Sequence, residues 1–435
     1  MASFECYADM KPSNEPWMGD IPKDWGLRRL KYIFNVKKVI AGESGHTVLS
    51  VTQNGIRPKN MTDKGQFAQD YSKYQLVSTG DFVMNHMDLL TGWVDISKYD
   101  GVTSPDYRVF VNVNKDIYVS EYYRYIFQLC YSARVFYGLG QGVAGFGRWR
   151  LPAEMFLNFI LPVPSTNTQN AIANYLDAKC NYIDEIIEET QKSIEDYRAW
   201  KVSIITDAVT GKHSSEENKK ASGVPWIGEI PYSWQIKKIK YLSNGDENSF
   251  IDGDWIESPY ITDEGIRYLT TGNIGDGKYK RQGNGYISKE TFKKLNCKYA
   301  YPGDLVISRL NAPYGRSCIL PDDHTEYVLA VDNVILRTDE NKRYICYVTQ
   351  CPHYQAAVLD KAAGTTMKRI SRTNLGNIYL PIPSREEQDR IASYLDEKCG
   401  AIDALIEEKE KLLQDMELYK KSLIFEVVTG KRKVV

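Results

Sequence analysis

The sequence predicts an α+β protein: two globular mixed α/β domains, separated by two long antiparallel helices that form a coiled coil, arranged as a pseudo-twofold internal repeat. Three observations predict it. The chain matches itself in two blocks, each second block opens a helical periodicity of some forty residues, and the stretches between blocks mix short β-rich runs with helical ones.

The first shared block is PWMGDIPKDWGLRRLKYIF from Pro16, which recurs as PWIGEIPYSWQIKKIKYLS from Pro225, an offset of 209 residues. The second is LPVPSTNTQNAIANYLDAKC from Leu161, recurring as LPIPSREEQDRIASYLDEKC from Leu380 at an offset of 219. That match runs without a gap to VTGK at Lys212 and Lys431, and 26 of its 52 positions are identical. Between the blocks the likeness is faint, surviving in GDFVMNH from Gly80 against GDLVISR from Gly303 and in Arg150 against Arg369. A period above 200 residues is a domain duplication rather than a solenoid. The shared ends therefore perform one task twice, while the diverged middles perform two related but different tasks.

Taken in order, residues 1–164 form the first globular domain, 165–212 a central helix, 213–222 a polar linker, 223–383 the second domain and 384–435 a distal helix. Ile172, Leu176, Ile183, Ile187, Ile194, Tyr197, Ile204 and Ala208 follow one another at helical spacing, and Ile391, Leu395, Ile402, Ile406, Leu413, Met416, Leu423 and Val427 repeat the pattern. LPVP and LPIP break the chain before each helix, and Gly211 and Gly430 stop it. In the middles, residues 48–52 before Asn54-Gly55 and 268–271 before Gly272 read as strands, and 120–137 as a helix.

Composition narrows the function. With 435 residues, 43% apolar, 12% aromatic and 26% charged, the chain has the make-up of a folded protein of two or three domains. Its 55 basic and 56 acidic side chains give a net charge of −1, so it is no polycation; the globular segments are mildly basic and the helices acidic. No leader or membrane span is legible, and eight scattered cysteines without a CxxC pair fit reduced thiols in a cytoplasm.

No catalytic site emerges. Gly140, Gly142 and Gly145 spell G-x-G-x-x-G, but FGRWRLP follows where a helix should open. There is no phosphate loop of the G-x-x-x-x-G-K-[ST] type and no Pro-Pro dipeptide of the kind amino-methylating enzymes carry. Cys346, Cys351 and His353 lack a fourth ligand at sensible spacing, and Cys180 and Cys399 read as helix packing. What the middles do offer is the side-chain set for reading bases and holding phosphates, on turn-rich stretches. The candidates are Gln53, Asn54, Arg57, Arg148 and Arg150 in the first half, and Asn273, Lys278, Arg309, Arg316, Lys368, Arg369 and Arg372 in the second.

The WIGEIP-x-x-W start, the LPIP-x-x-x-EQ-x-x-I-x-x-YLD helix entry and the VTGK exit, each present twice, resemble the specificity subunit of type I restriction-modification systems. The resemblance implies that each middle is a target recognition domain for one half of a bipartite, asymmetric double-stranded DNA site, with the helices setting the spacer. It implies two modification methyltransferase subunits as partners, with restriction and translocase subunits in the full complex. S-adenosylmethionine, ATP and Mg²⁺ then belong to those partners, leaving this chain a non-catalytic subunit without cofactors. The first half departs from the pattern at Thr168, where the second has Glu387, which weakens the capping expected at one helix. Two other classes compete with this reading: a coiled-coil scaffold whose heads bind proteins, and a nuclease.

Overall fold

The computed structural model describes residues 5–60, 70–142, 149–214, 216–324, 326–364 and 368–434. The chain folds as two compact units, one of Met1–Thr190 with Lys411–Val435, the other of Gln191–Glu410. The segments predicted as separate spacers thus divide between the units. Each unit owns half of the central helix (Thr166–Val209) and half of the distal helix (Arg385–Val428).

In the first unit a four-stranded antiparallel sheet runs in the order Phe34–Lys37, Arg108–Asn112, Phe82–Met84, Val94–Ile96. The helix Ser120–Ser132 contributes Tyr123 and Phe127 to an aromatic core with Phe34, Phe82 and Phe110, in which Phe82 and Phe110 stack with centroids 5.0 Å apart. The predicted helix over 120–137 is broken: Arg134 takes a left-handed φ of 57° and a short turn, Val135–Gly138, swings Phe136 into the core. The strand expected over 48–52 is Leu49–Thr52, and it pairs with Gly55–Pro58 in a hairpin whose Gly55 is at φ 94°.

The second unit repeats the sheet as Phe250–Asp252, Asn333–Leu336, Leu305–Ser308, Ser317–Ile319, under the helix Lys342–Gln350. It adds a four-stranded mixed sheet, Tyr286–Ile287, Ile266–Leu269, Tyr327–Leu329 and Tyr299–Ala300, whose central pair is parallel. In the first unit the hairpin and the pair Gln75–Val77 with Gly101–Thr103 are separate two-stranded sheets, so the middles differ in architecture as well as in sequence. The 213–222 linker is partly structured: Lys219–Ala221 pairs with Glu229–Pro231, as Met10–Pro12 pairs with Asp20–Pro22 in the first unit.

The shared ends have visible work. Gly430 ends the distal helix at φ 71°, and a Cβ there would lie 2.2 Å from the ring of Pro22 and 3.3 Å from Trp25; Gly211, at φ 76°, is closed in by Pro231 and Trp234 at 2.3 and 3.4 Å. Trp25 and Trp234 are each 1% exposed. At the helix entries Gln169 and Gln388, both fully buried, act as polar clamps. Gln169 accepts from Val119 N (2.8 Å) and donates to Ile117 O and Pro164 O; Gln388 accepts from Asn341 N (2.9 Å) and donates to Glu340 and Pro383 O. The aspartate of each YLD reinforces the joint. Asp177 accepts from Arg124 and Tyr125, both at 2.6 Å, and Asp396 from Arg343 and Tyr347.

The apolar stripes serve the unit cores as much as each other. Ile172, Leu176, Cys180 and Ile183 join Leu423, Val427 and Val428 in the first core; Ile204, Ile205, Ala208 and Val209 join Leu395, Cys399 and Ile402 in the second. Within each unit the two half-helices run antiparallel, marked by Asp184 with Lys420 (2.6 Å) in one and by Arg198 with Glu410 (2.7 Å) and Lys201 with Asp403 (2.5 Å) in the other. Exposed pairs of this kind contribute roughly 0–1 kcal/mol each, so the stripe holds the helices and the ion pairs set register.

Capping survives the Thr168 departure. Ser165 Oγ accepts from Thr168 N (3.2 Å) as Ser384 Oγ accepts from Glu387 N (3.3 Å). The difference is felt elsewhere, because Glu387 takes the indole N–H of Trp234 at 3.0 Å, a carboxylate acceptor that the buried Trp25 indole lacks, its polar neighbour being Tyr7 instead. Thr168→Glu should supply that acceptor and raise stability by about 1 kcal/mol; an unchanged urea midpoint would contradict this account. Gly430→Ala and Gly211→Ala should each lower stability by more than ~1 kcal/mol, through the left-handed φ and the proline contact. Gly400→Ala, at an exposed helical site with nothing within 4 Å of the added Cβ, should raise it by ~0.5–1 kcal/mol in the same denaturation assay.

Candidate nucleic-acid interface

The candidate residues fall into two physical groups. Gln53 and Asn54 stand exposed at the hairpin tip, where Thr52 Oγ1 accepts from Asn54 N (3.2 Å) and donates to Gly55 O (2.9 Å). Arg57 is exposed on the following strand, opposite Ser50. Arg150 is exposed on a two-residue bridge with Gln141, closed by backbone hydrogen bonds of 2.9 and 3.1 Å; Arg369 repeats this on a bridge with Ala363. Lys368 is exposed beside it, and Lys278 is exposed but ion-paired with Asp403 at 2.8 Å. Arg148 lies outside the described residues, as does Gly145 of the glycine string. Gly140 of that string backs onto Trp149, which a Cβ would meet at 2.4 Å.

The second group is corrected by burial. Asn273, Arg309 and Arg316 are 2%, 5% and 7% exposed, so they do not reach a DNA surface from where they stand. Asn273 builds the 270–282 loop, accepting from Thr270 N (2.9 Å) and donating to Lys280 O and Gln282 O. Arg316 threads between two loops, donating to Ile274 O (2.6 Å), Thr271 O (2.8 Å) and Asn311 O (3.0 Å). Arg309 donates to Ile370 O (3.1 Å) and Val331 O (2.5 Å) and pairs with Asp252. Five donors on a rigid plane let one arginine gather several carbonyls, the economical way to hold an irregular loop together inside a protein. Arg267, which sequence reasoning passed over, does the same with Gly285 O, Gln282 O and Gly283 O. Arg372 is intermediate: half-buried, donating to Phe250 O (3.0 Å) and facing Asp252.

Loops scaffolded in this way leave other side chains outward. Lys280, Arg281 and Gln282 project from the 270–282 loop, with Arg281 76% exposed at its side chain and 3.4 Å from Asp323. Cys346 and Cys351 are core side chains rather than ligands: Ser317 Oγ donates to Cys346 Sγ, and Cys351 Sγ lies 3.7 Å from Thr206 Oγ1. Among the described residues no helix is long and apolar enough to cross a membrane.

Two stretches, residues 22–196 and 231–414, match the family model described as the type I restriction modification DNA specificity domain. The chain belongs to this family. Both copies begin in the shared start and run into the long helices, so the matched unit is the clamp-and-sheet frame described above together with its loops. Over 434 residues the chain is 24% identical to the type I restriction enzyme MjaVIII specificity subunit of Methanocaldococcus jannaschii, covering 95% of this chain and 94% of that one. Its fold resembles a chain from a structure of the type I R-M system solved to explain complex assembly and conformational transition (TM-score 0.71, 15% identity, 94% of this chain and 98% of that chain). It also resembles the HsdS subunit of Thermoanaerobacter tengcongensis (TM-score 0.54, 15% identity, 94% and 98%). This specificity subunit thus carries two target recognition domains.

Proposed function

We propose that this specificity subunit reads a bipartite, asymmetric double-stranded DNA site, one half with each domain, and that the paired helices set the spacer and dock two methyltransferase subunits. One observation carries the reading: the two domains share a frame down to the Gln169/Gln388 and Asp177/Asp396 clamps, yet present different loops upon it. A repeated frame suits a partner met twice, and unlike loops suit two unlike half-sites. The first half-site falls to the Gln53–Asn54 tip, Arg57, Arg150 and Arg148; the second falls to Lys278, Lys368, Arg369, Arg372 and the loops that Asn273, Arg309 and Arg316 hold in shape. In this reading the chain is non-catalytic and binds no cofactor of its own. S-adenosylmethionine, ATP and Mg²⁺ act on the methyltransferase and restriction subunits, and the complex works in the cytoplasm, where the DNA is.

Exchanging residues 27–160 for the corresponding middle of a relative should replace one half of the methylated motif and leave the other unchanged, read by methylome sequencing of the host with and without the exchanged gene. A single continuous motif, or both halves changing together, would sink the modular reading; loss of all sequence-selective DNA binding with the methyltransferase present would favour a protein-binding scaffold.

The helices can be tested as a ruler. Deleting residues 189–195 and 408–414, matched by the repeat, removes two helical turns from each while keeping the apolar stripe, and about 10.5 Å of length at ~1.5 Å per residue. The preferred spacer should shorten by up to about three base pairs, at ~3.4 Å each, with both half-sites retained. Binding should weaken as well, since three base pairs turn the second half-site by roughly 100°. An unmoved optimum across a spacer series, in a folded variant, would mean that another element sets the distance.

A further inference from the structure

Beneath Arg150 the first unit holds a cleft of about 530 Å³ lined by His86, Arg108, Gln141, Arg150 and Leu151 among others, with no carboxylate in its described wall. Arg108 is 6% exposed; its Nη2 donates to Leu151 O at 3.2 Å and its guanidinium lies 4.3 Å from the centroid of the Phe156 ring. Its Nη1 has no hydrogen-bond partner among the described residues, and neither has Nδ1 of His86. The unpaired Nη1 of Arg108, beside an exposed arginine and an amide, leaves the set short of an acceptor, and His86 Nδ1 becomes a further donor when the imidazole is protonated. Burial foremost, and then the charges of Arg108 and Arg150, hold the pKa of the imidazole down to about 4.

The second unit supplies an internal comparison. By sheet register and repeat offset Arg309 stands where His86 does, and Ile370 where Leu151 does. The backbone bonds coincide, Leu151 N to His86 O at 3.0 Å and Ile370 N to Arg309 O at 3.1 Å. The next carbonyl is likewise capped by a buried arginine, Arg108 on Leu151 O and Arg309 on Ile370 O. There, however, the protein brings its own anions: Asp332 lies 2.5 Å from Arg369, and Asp252 lies 3.1 Å from Arg309 and 3.4 Å from Arg372. The register partner of Asp332 in the first unit is Asp106, which is exposed and does not line the cleft.

We propose that the cleft of His86, Arg108, Gln141 and Arg150 binds one phosphate oxyanion, a phosphodiester group of the DNA backbone, supplying the negative charge that Asp332 and Asp252 supply internally in the other domain. This rests on the DNA-reading function and adds an asymmetry to it. Arg150 gains a phosphate on binding, whereas Arg369 already has its counter-ion.

The test uses the full-length chain with histidine labelled at Cε1, the His86 signal being assigned by its loss in His86→Gln. Inorganic phosphate, and separately a DNA duplex, are titrated at constant ionic strength. The expected result is a saturable shift of the His86 signal with DNA and a rise of its pKa by at least one unit, both abolished by Gln141→Glu, which places a carboxylate at the cleft. In binding assays Arg150→Ala should weaken every sequence alike and reduce the slope of log K against log salt by about one, while Arg369→Ala, whose guanidinium is already paired with Asp332, should reduce it by less. A shift with DNA alone supports the backbone as the source. A shift with free phosphate alone, in a chain that still binds DNA, overturns that source, and no shift with either overturns the cleft as an oxyanion site. Equal slope losses for the two arginine variants overturn the asymmetry. Were the chain not to bind DNA at all, the DNA reading would fail, and the phosphate titration alone would decide the cleft.

Discussion

A proline ring pressed on a helix-ending glycine closes each unit, and the rest of the fold depends on that contact. Pro22 and Trp25 sit on Gly430, and Pro231 and Trp234 sit on Gly211. In the first unit the two sides of the contact come from opposite ends of the chain, so Lys431 reaches Met18 O (2.6 Å) and Asp20 O, and Tyr122 donates to Val428 O (3.1 Å). The core of that unit is incomplete until residues 411–435 arrive, because Leu423, Val427 and Val428 are part of it. Only a left-handed residue without a side chain lets the helix stop, turn and accept the proline in the same place.

Given that closure, the polar clamps become necessary rather than decorative. A long helix that leaves a domain must hold its angle there, and apolar contacts alone have little directional preference. Gln169 and Gln388 supply direction by using both ends of a buried amide, tying the helix entry to the first turn of the domain helix, and Asp177 and Asp396 repeat the tie two turns on. These bonds account for the glutamine and the YLD motif that the repeat keeps while its middles diverge. The same logic, with arginine in place of glutamine, holds the divergent loops: Arg267, Arg309 and Arg316 spend their donors on carbonyls, so irregular backbone can be buried without orphaned acceptors.

The charge pattern follows from this division of labour. Arginines inside organise loops and several outside are ion-paired, as Arg198 is with Glu410 and Arg343 with Asp396, so the local positive charge of a nearly neutral chain is set pair by pair. The first domain leaves more of that charge uncompensated at the Arg150 corner than the second does at Arg369, where Asp332 stands within 2.5 Å.

Much of the architecture was legible in the residues. Duplication, helical stripes and the glycine stops depend on local preferences and on period, which a sequence displays directly, and the strand before Asn54-Gly55 was legible for the same reason. The two-domain repeat and the long helices needed nothing more. What tertiary structure alone decided was which polar side chains face in. Asn273, Arg309 and Arg316 have the composition of contact residues, and nothing in their neighbours distinguishes them from Arg150 or Lys368. Burial is set by carbonyls distant in sequence, Ile370 for Arg309 and Thr271 for Arg316. The joining of residues 411–435 to the first core is equally non-local, as is the gathering of His86, Arg108 and Arg150 around one cleft. Periodicity records what a residue does with its near neighbours; a charge's role depends on which distant groups the fold brings to it.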